Sequence, residues 1–582
     1  MFRENPRRQQ PSLLSDIVAM PEAQRRRLET SWAHVFRECV LYQIDEEVFA
    51  VLYADGPSRP NVPVNVLVCL EILKAGMGWS DAELYDAVLF DMQVRYALGY
   101  ESLGDGYFAL RTVYYFRERL SQHYQTTGVN LLEAAFASVA DKQAQALKVR
   151  TKTLRMDSTQ IASDMAQGSR LYLLVEGVRR FYRMLSKAEQ AAYADRCAPY
   201  VKNEAEHYCY NVPDRRATDA AIATVGALLL DLLREFHDRY AENPTYQTIQ
   251  RLFDDNFHLV EETATPKDNK EISSGALQSL DDLDASYRRK NGQGYQGYVA
   301  SLTETCDPEN DVQLILDVQV APNNTDDADL LVDAMPGLAA RTEVEELYTD
   351  GAYGSDDADT MLNAHGVTQI QTGLRGNAPD PDKLSLSDFE IEQDDQGVPT
   401  HVTCPQGQRV AVERGRSTGF VARFEPSICA DCPLHLHGRC RAEPQKRNPR
   451  FALNFTQAEV FRAKRRQQYL DYRRTPGNLR AAVEATVRSV KHPFRQGKVP
   501  VRGLFRVTCM VIASAAMVNV RRIHRYWTSL MQSHRFSRIP AARTPFFGPN
   551  TPASAHCTHT RRLHSSLLRR HRCRPRITCF SC

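Results

Sequence analysis

The sequence predicts a mixed α/β protein in which helices cover a mixed sheet, an all-helical segment comes first, and a small cysteine-rich insertion interrupts the later part. Three observations predict it. Apolar positions recur at helical spacing through residues 1–140 without strand alternation. From about residue 146, short runs rich in β-branched residues alternate with helical ones. Between 375 and 450 the chain turns polar and carries four cysteines. The 582 residues hold 73 Lys+Arg against 71 Asp+Glu and are 43% hydrophobic, which excludes a disordered polyelectrolyte or a low-complexity chain. A single core stops growing at about 250–300 residues, so the length calls for several domains.

Residues 1–140 read as a helical N-terminal domain for DNA docking or dimerisation. VNVLVCLEILKAGM, DAELYDAVLFDMQVRYAL and YFALRTVYYFRERLSQHY carry the helical period. Ser80 with Asp81 and Glu83 marks a helix start, and Gly104 with Gly106 a break. Residues 146–374 read as the first part of the sheet domain. LKVRTKTLRMDSTQI (147–161) alternates as a strand ending near Asp157, and a helical insertion follows over 163–275. GYVASLTETC (297–306) and VQLILDVQVAPN (312–323) read as strands, and TDDADLLVDAMPGLAART as a helix capped by Thr325. EELYTD (345–350) is a strand, 355–365 a helix and VTQIQTGL a strand. Strands joined antiparallel, then strands joined through helices, imply a mixed sheet. The insertion at 375–450 reads as loop-rich. Residues 451–530 then return to helix: TQAEVFRAKRRQQYLDYRR, a second helix of about 15 residues stopped by Pro493, and an apolar helix from about 503 to 527.

The net charge of +2 conceals an asymmetry. Residues 533–582 contain ten Arg and no Lys, Asp or Glu, and residues 462–506 contain 13 Lys/Arg against only Asp471 and Glu484. Such a concentration points to a polyanion partner. The tail has neither period and reads as basic and disordered, its composition favouring a frame-shifted or read-through terminus. The most apolar stretch, 507–520, covers 14 residues, against roughly 20 for a bilayer span, and the N-terminus lacks a secretion-signal core. The expectation is a cytoplasmic protein without a membrane partner, its 14 cysteines being free thiols or metal ligands.

Two acids close predicted strands, Asp157 in MDSTQ and Asp350 in YTDGAYG. Each alone reads as a turn former or cap. On neighbouring strands they would converge at one edge of the sheet. A third acid, Glu484, lies in LRAAVEATVRSVK, where Leu479, Val483, Val487 and Val490 form an apolar stripe. Arg480, Glu484, Arg488 and Lys491 follow one residue later, about 100° round the helix. Thr475-Pro476 reads as a cap with a first-turn proline. Cys404, then Cys429-x2-Cys432, then Cys440, suits a structural Zn²⁺ held by four thiolates. His435 or His437 in place of one thiol, an iron–sulfur cluster, and unliganded cysteines are the alternatives.

Together these pieces resemble the DDE transposases of bacterial insertion sequences. The resemblance rests on Asp157-Ser158-Thr159, on YTDGAYG, on Arg480-x3-Glu484-x6-Lys491, and on the segments YRRKNGQGYQGYVASLTETCDPEN and VQVAPNNTDDADLL, and covers about residues 30–527. The family carries Tyr three residues before that Arg. Here the position is Gly477, with Tyr472 or Tyr469 nearby as substitutes. The resemblance implies a ribonuclease H-like catalytic domain with a helical insertion. It implies Asp157, Asp350 and Glu484 as ligands of two Mg²⁺ or Mn²⁺ ions that drive cleavage and strand transfer at terminal inverted repeats of double-stranded DNA. Arg480, Arg488 and Lys491 would hold DNA phosphates, and a homodimer would pair two ends. A decayed or repurposed DNA-binding protein, and a metal-dependent nuclease without strand transfer, are the competing readings.

Overall fold

Alternation places every second side chain of β1 (Thr153–Ile161) on one face, and this strand organises the main sheet. The computed structural model describes residues 2–536 apart from 7–14, 55–60, 167, 291, 377–379, 395–396, 416–418, 446–449 and 475–476, with side chains to 532. The chain divides into two units, Met1–Pro540 and Ala541–Cys582, and all described residues lie in the first. The expectations for Thr475-Pro476 and for most of the tail lie outside the described residues.

The sheet contains β1, β4 (Ser286–Lys290), β5 (Gln293–Thr305), β6 (Ile315–Pro322), β7 (Glu346–Thr349) and β8 (Thr368–Gln371). β5 runs antiparallel to β1, β4 and β6, whereas β7 is parallel to β1 and β8 to β7. Across the sheet the order is β6-β5-β1-β7-β8, with β4 extending the pairing of β5. Gly297 lets β5 pass close to β1. It has φ +125, and a Cβ there would stand 2.5 Å from the Ile161 carbonyl oxygen.

Several expectations are corrected. β1 does not end at Asp157 but continues to Ile161, because β5 pairs with it along its whole length from Leu154. The 163–275 segment is not wholly helical: after helices such as α4 (Arg170–Met184), α5 (Arg215–Glu235) and α6 (Pro244–Asn256) comes a hairpin of β2 (Phe257–Val260) and β3 (Thr263–Pro266). The helix α7 (Asp327–Arg341) is preceded by Asp326 rather than Thr325, without a side-chain cap bond. The 375–450 region is not loop-rich: it supplies five strands of a six-stranded antiparallel sheet that residues 451–455 complete. Its strands are β9 (Glu390–Gln393), β10 (Pro399–Thr403), β11 (Arg409–Arg414), β12 (Phe420–Phe424), β13 (Glu443–Pro444) and β14 (Phe451–Phe455). Phe389, Phe424, Leu453 and Val402 form its core.

The first segment is helical as expected, including α1 (Val64–Met77), α2 (Arg111–Thr127) and α3 (Leu131–Ala146). Ser80 and Glu83 form a reciprocal capping box. After α7 come β7, α8 (Asp356–Ala364, capped by Ser355) and β8. Beyond the cysteine module lie α9 (Gln457–Arg474), α10 (Val483–Lys491) and α11 (Leu504–Phe536). α10 is shorter than expected, beginning at Val483. α11 is longer than expected. By length and composition its residues 504–532 would suffice to cross a bilayer, yet 72% of the apolar window is buried. It packs on α1, α3, α10 and β6, as a core helix does. A Cβ at Gly76 would stand 2.3 Å from Met517 Cβ, so α1 and α11 approach closely only because residue 76 has none.

One buried carboxylate ties these layers. Glu304, on β5 opposite Arg155 of β1, is fully buried. It accepts from Arg155 Nε at 2.7 Å, Arg522 Nη1 of α11 at 2.7 Å and Thr486 Oγ1 of α10 at 2.8 Å. Glu304→Gln would leave two guanidiniums short of their counter-charge. The expected loss, read by urea unfolding, is about 3–5 kcal/mol.

Candidate active site

The parallel pairing of β1 with β7 stops at Arg155 and Tyr348. Asp157, midway along β1, and Asp350, just past the end of β7, each lie two residues beyond the last pair of that ladder, where the two parallel strands part. Asp350 Oδ1 accepts from the Ala352 N–H at 2.8 Å, so the residue does cap the turn Gly351–Tyr353. Its Oδ2 lies 3.9 Å from Arg480 Nη2, which also donates to Asp157 Oδ1 at 2.9 Å. One guanidinium therefore bridges two acids that are far apart in sequence. Tyr353, fully buried, exchanges a hydrogen bond with Ser301 at 3.2 Å, and the charges of Asp157 and Asp350 both act on it.

The electrostatics follow from burial and charge. Burial pushes the Asp157 carboxyl above its ordinary range, against the pull of Arg480, and the negative Asp350 adds to the rise. For Arg480, burial alone would lower the pKa, but Asp157, Asp350 and Glu484 outweigh it and leave the guanidinium more firmly charged. Its Nε has no hydrogen-bond partner.

Arg155, Asp157 and Thr159 share one face of β1, and each meets the same late segment. Arg155 Nη1 donates to the Leu479 carbonyl at 2.6 Å, Asp157 takes Arg480, and Thr159 Oγ1 lies 3.4 Å from Lys491 Nζ. Arg480 precedes α10 instead of standing on it. It belongs to a turn in which Asn478 Oδ1 accepts from the N–H groups of Arg480 and Ala481, both at 3.1 Å. Tyr472 donates to the same oxygen at 2.8 Å, and its ring packs edge-on to Tyr348 at 6.0 Å. Gly477, where the resemblance expects Tyr, has φ +106, a backbone that suits glycine.

Of the expected stripe, Val483 and Val490 are buried with Thr486 between them, while Leu479 and Val487 are only half-buried. Glu484 is exposed on the first turn of α10 and acts on Arg480 through its charge. Lys491 is not directed at solvent: it donates to the Gln160 carbonyl at 2.8 Å, and burial lowers its pKa. Arg488 is exposed. Thus Asp157, Asp350 and Arg480 meet directly, Glu484 stands near, and Arg480 and Lys491 are engaged by β1. Among the described residues no group of three or more His, Cys, Asp or Glu is set to hold a metal ion. The hard oxygen donors of Asp157 and Asp350 nonetheless suit Mg²⁺ or Mn²⁺, and the Arg480 cation held between them marks a place that favours positive charge.

In the cysteine module, Cys404, Cys429, Cys432 and Cys440 line one small apolar cavity with His435, Phe389, Phe424 and Phe451. Burial pushes the Cys429 thiol up to about 11, and Cys440, Cys404 and Cys432 add to the rise. Cys404 opens a tight turn, its carbonyl accepting from Gly407 N–H at 2.8 Å.

The class defined by this geometry is an α/β protein with two acids set just beyond the ladder of two adjacent parallel strands. Residues 403–524 match the family model described as a transposase DDE domain, which supports a DDE transposase. The match spans Cys404, α9, Glu484 and most of α11, and leaves Asp157 and Asp350 outside it. No curated protein and no solved structure matches the chain.

Arg480 holds the Asp157 pKa down against burial. Arg480→Met should raise that pKa further, an upward shift read by carboxyl ¹³C NMR titration.

Proposed function

We propose that this chain is a bacterial insertion-sequence transposase that cuts the ends of its element and joins them to target DNA, using a ribonuclease H-like sheet. The observation that carries the reading is the convergence of Asp157 and Asp350 on Arg480 beside α10, the helix that bears Glu484 within the transposase match. In this reading Asp157, Asp350 and Glu484 hold two divalent ions. When bound, such ions activate the attacking oxygen and stabilise the leaving one. The chain's own residues do the rest. Asp157 is buried on β1 and held by the pairing with β5, so it fixes the centre. Arg480 neutralises the two acids until the ions bind, and once released from them it meets the DNA phosphate. Arg488, exposed on α10, meets the backbone of the DNA, and the basic stretch 462–506 supplies the salt-sensitive part of binding. The helical first segment reads the terminal inverted repeats, and a homodimer working in the cytoplasm pairs two ends. The competing reading of a binding-only copy draws its support from Gly477.

Asp157→Ala, Asp350→Ala or Glu484→Ala should bring Mg²⁺- or Mn²⁺-dependent cleavage of end-bearing oligonucleotides down to the uncatalysed background, with DNA affinity retained. Cleavage that persists in any of the three excludes the proposed site.

The cysteine module supports a second, structural assignment: Zn²⁺ held by Cys404, Cys429, Cys432 and Cys440. Four thiols around one cavity in a small sheet fit a soft-ligand ion that ties chain segments together. Elemental analysis should find one zinc per chain, and Cys432→Ser should release it and lower the unfolding midpoint. Zinc-free protein with full stability would refute this.

A further inference from the structure

A cleft that begins beside Asp350 is formed without the acids. Immediately after Asp350, Gly351 and Gly354 open into a cavity of about 570 Å³ that continues along Gln371 and Arg375 to one side of α9. That volume falls in the range of sites that hold one small molecule, roughly 300–1,000 Å³. It admits a nucleotide or two but not a length of duplex.

Its walls carry five arginines, Arg375, Arg441, Arg462, Arg465 and Arg466, against one acid, Glu459. Glu459 is already paired with Arg441, and Arg465 lies 3.5 Å from Asp359. Gly354 makes room for that arginine: a Cβ there would stand 2.5 Å from Arg465 Nη1. Arg375 and Arg466 form no ion pair among the described residues, so two guanidiniums face a concave space without counter-charge. Tyr469 and the exposed Leu374 and Leu470 line the same space. Unpaired arginines beside an aromatic ring are the combination that binds single strands, phosphates to the cations and a base to the ring.

We propose that this cleft receives a stretch of single DNA strand next to the reacting phosphate, Arg375 and Arg466 holding its phosphates and Tyr469 stacking on a base. The inference rests on the transposase reading for the identity of the nucleic acid. It goes further in assigning a strand path that runs from Asp350 over α9, away from the basic face of α10.

The test is fluorescence anisotropy with the full chain in EDTA, where no cleavage intrudes, on a single-stranded oligonucleotide and on a blunt duplex of the same sequence. R375A/R466A should weaken single-strand binding at least tenfold and flatten the log–log salt slope by about 1.4, the value for two lost phosphate contacts at about 0.7 each. Tyr469→Ala should cost about tenfold, the order of one lost stack, and Tyr469→Phe should restore it. Unchanged thermal unfolding confirms that the variants fold. Wild-type single-strand affinity and slope in R375A/R466A overturn the assignment, and so does an equal loss on blunt duplex. If wild type cleaves DNA ends while these variants bind normally, the cleft fails and the transposase reading stands. If wild type never cleaves yet the variants lose single-strand binding, the reverse holds.

Discussion

The buried carboxylate of Glu304 is the constraint on which the site depends. Its partners come from β1, α10 and α11, so one fully buried acid fixes how far the late helices sit from the first strand. Removing two charges from water is costly, and such a cluster persists only where each group is matched. Here Arg155 does double duty. It satisfies Glu304 and also holds the Leu479 carbonyl, which sets the turn that delivers Arg480 to Asp157 and Asp350. The pairing of β1 with β7 makes the two acids neighbours, and the deeper ion cluster positions the turn that sets Arg480 between them.

The same logic explains why α11 is apolar and long without being a membrane element. It lies against α1 on one side and the sheet on another, and Asn519 exchanges two hydrogen bonds with the backbone of Ile315 at 2.9 and 2.8 Å. A side chain thereby completes the pairing at the start of β6. Ser514 donates to the Val490 carbonyl at 2.7 Å, tying the end of α10 to the same helix. Long-range polar contacts, and not apolar burial alone, set the register of these layers.

Much of this was legible in the sequence, for identifiable reasons. β1, β5, β6, β7 and β8 bury one face or both, so alternation or β-branched runs announced them. Asp350, a turn former, marked the end of β7, and the helical period from residue 355 marked α8. β4, SYRRK, and the module strands such as RVAVER are largely exposed, and polar alternation carries no such signal. The hairpin at 257–266 was too short to break a helical reading. Glu304 was invisible because its partners lie 149 and 182 residues away in Arg155 and Thr486. The three acids were legible as residues, but not that Arg480 would sit between two of them. A stripe of four positions treats Leu479 and Arg480 as helical, whereas the helix begins only at Val483.

Anomalous diffraction from crystals grown with Mn²⁺ tests the central claim most directly, since it locates the ion without reference to activity. The account predicts two peaks beside Asp157, one shared with Asp350 and one with a Glu484 carboxylate turned inward, and the Arg480 guanidinium displaced. Arg480 still bridging the two acids at saturating Mn²⁺, with no peak beside them, would contradict it.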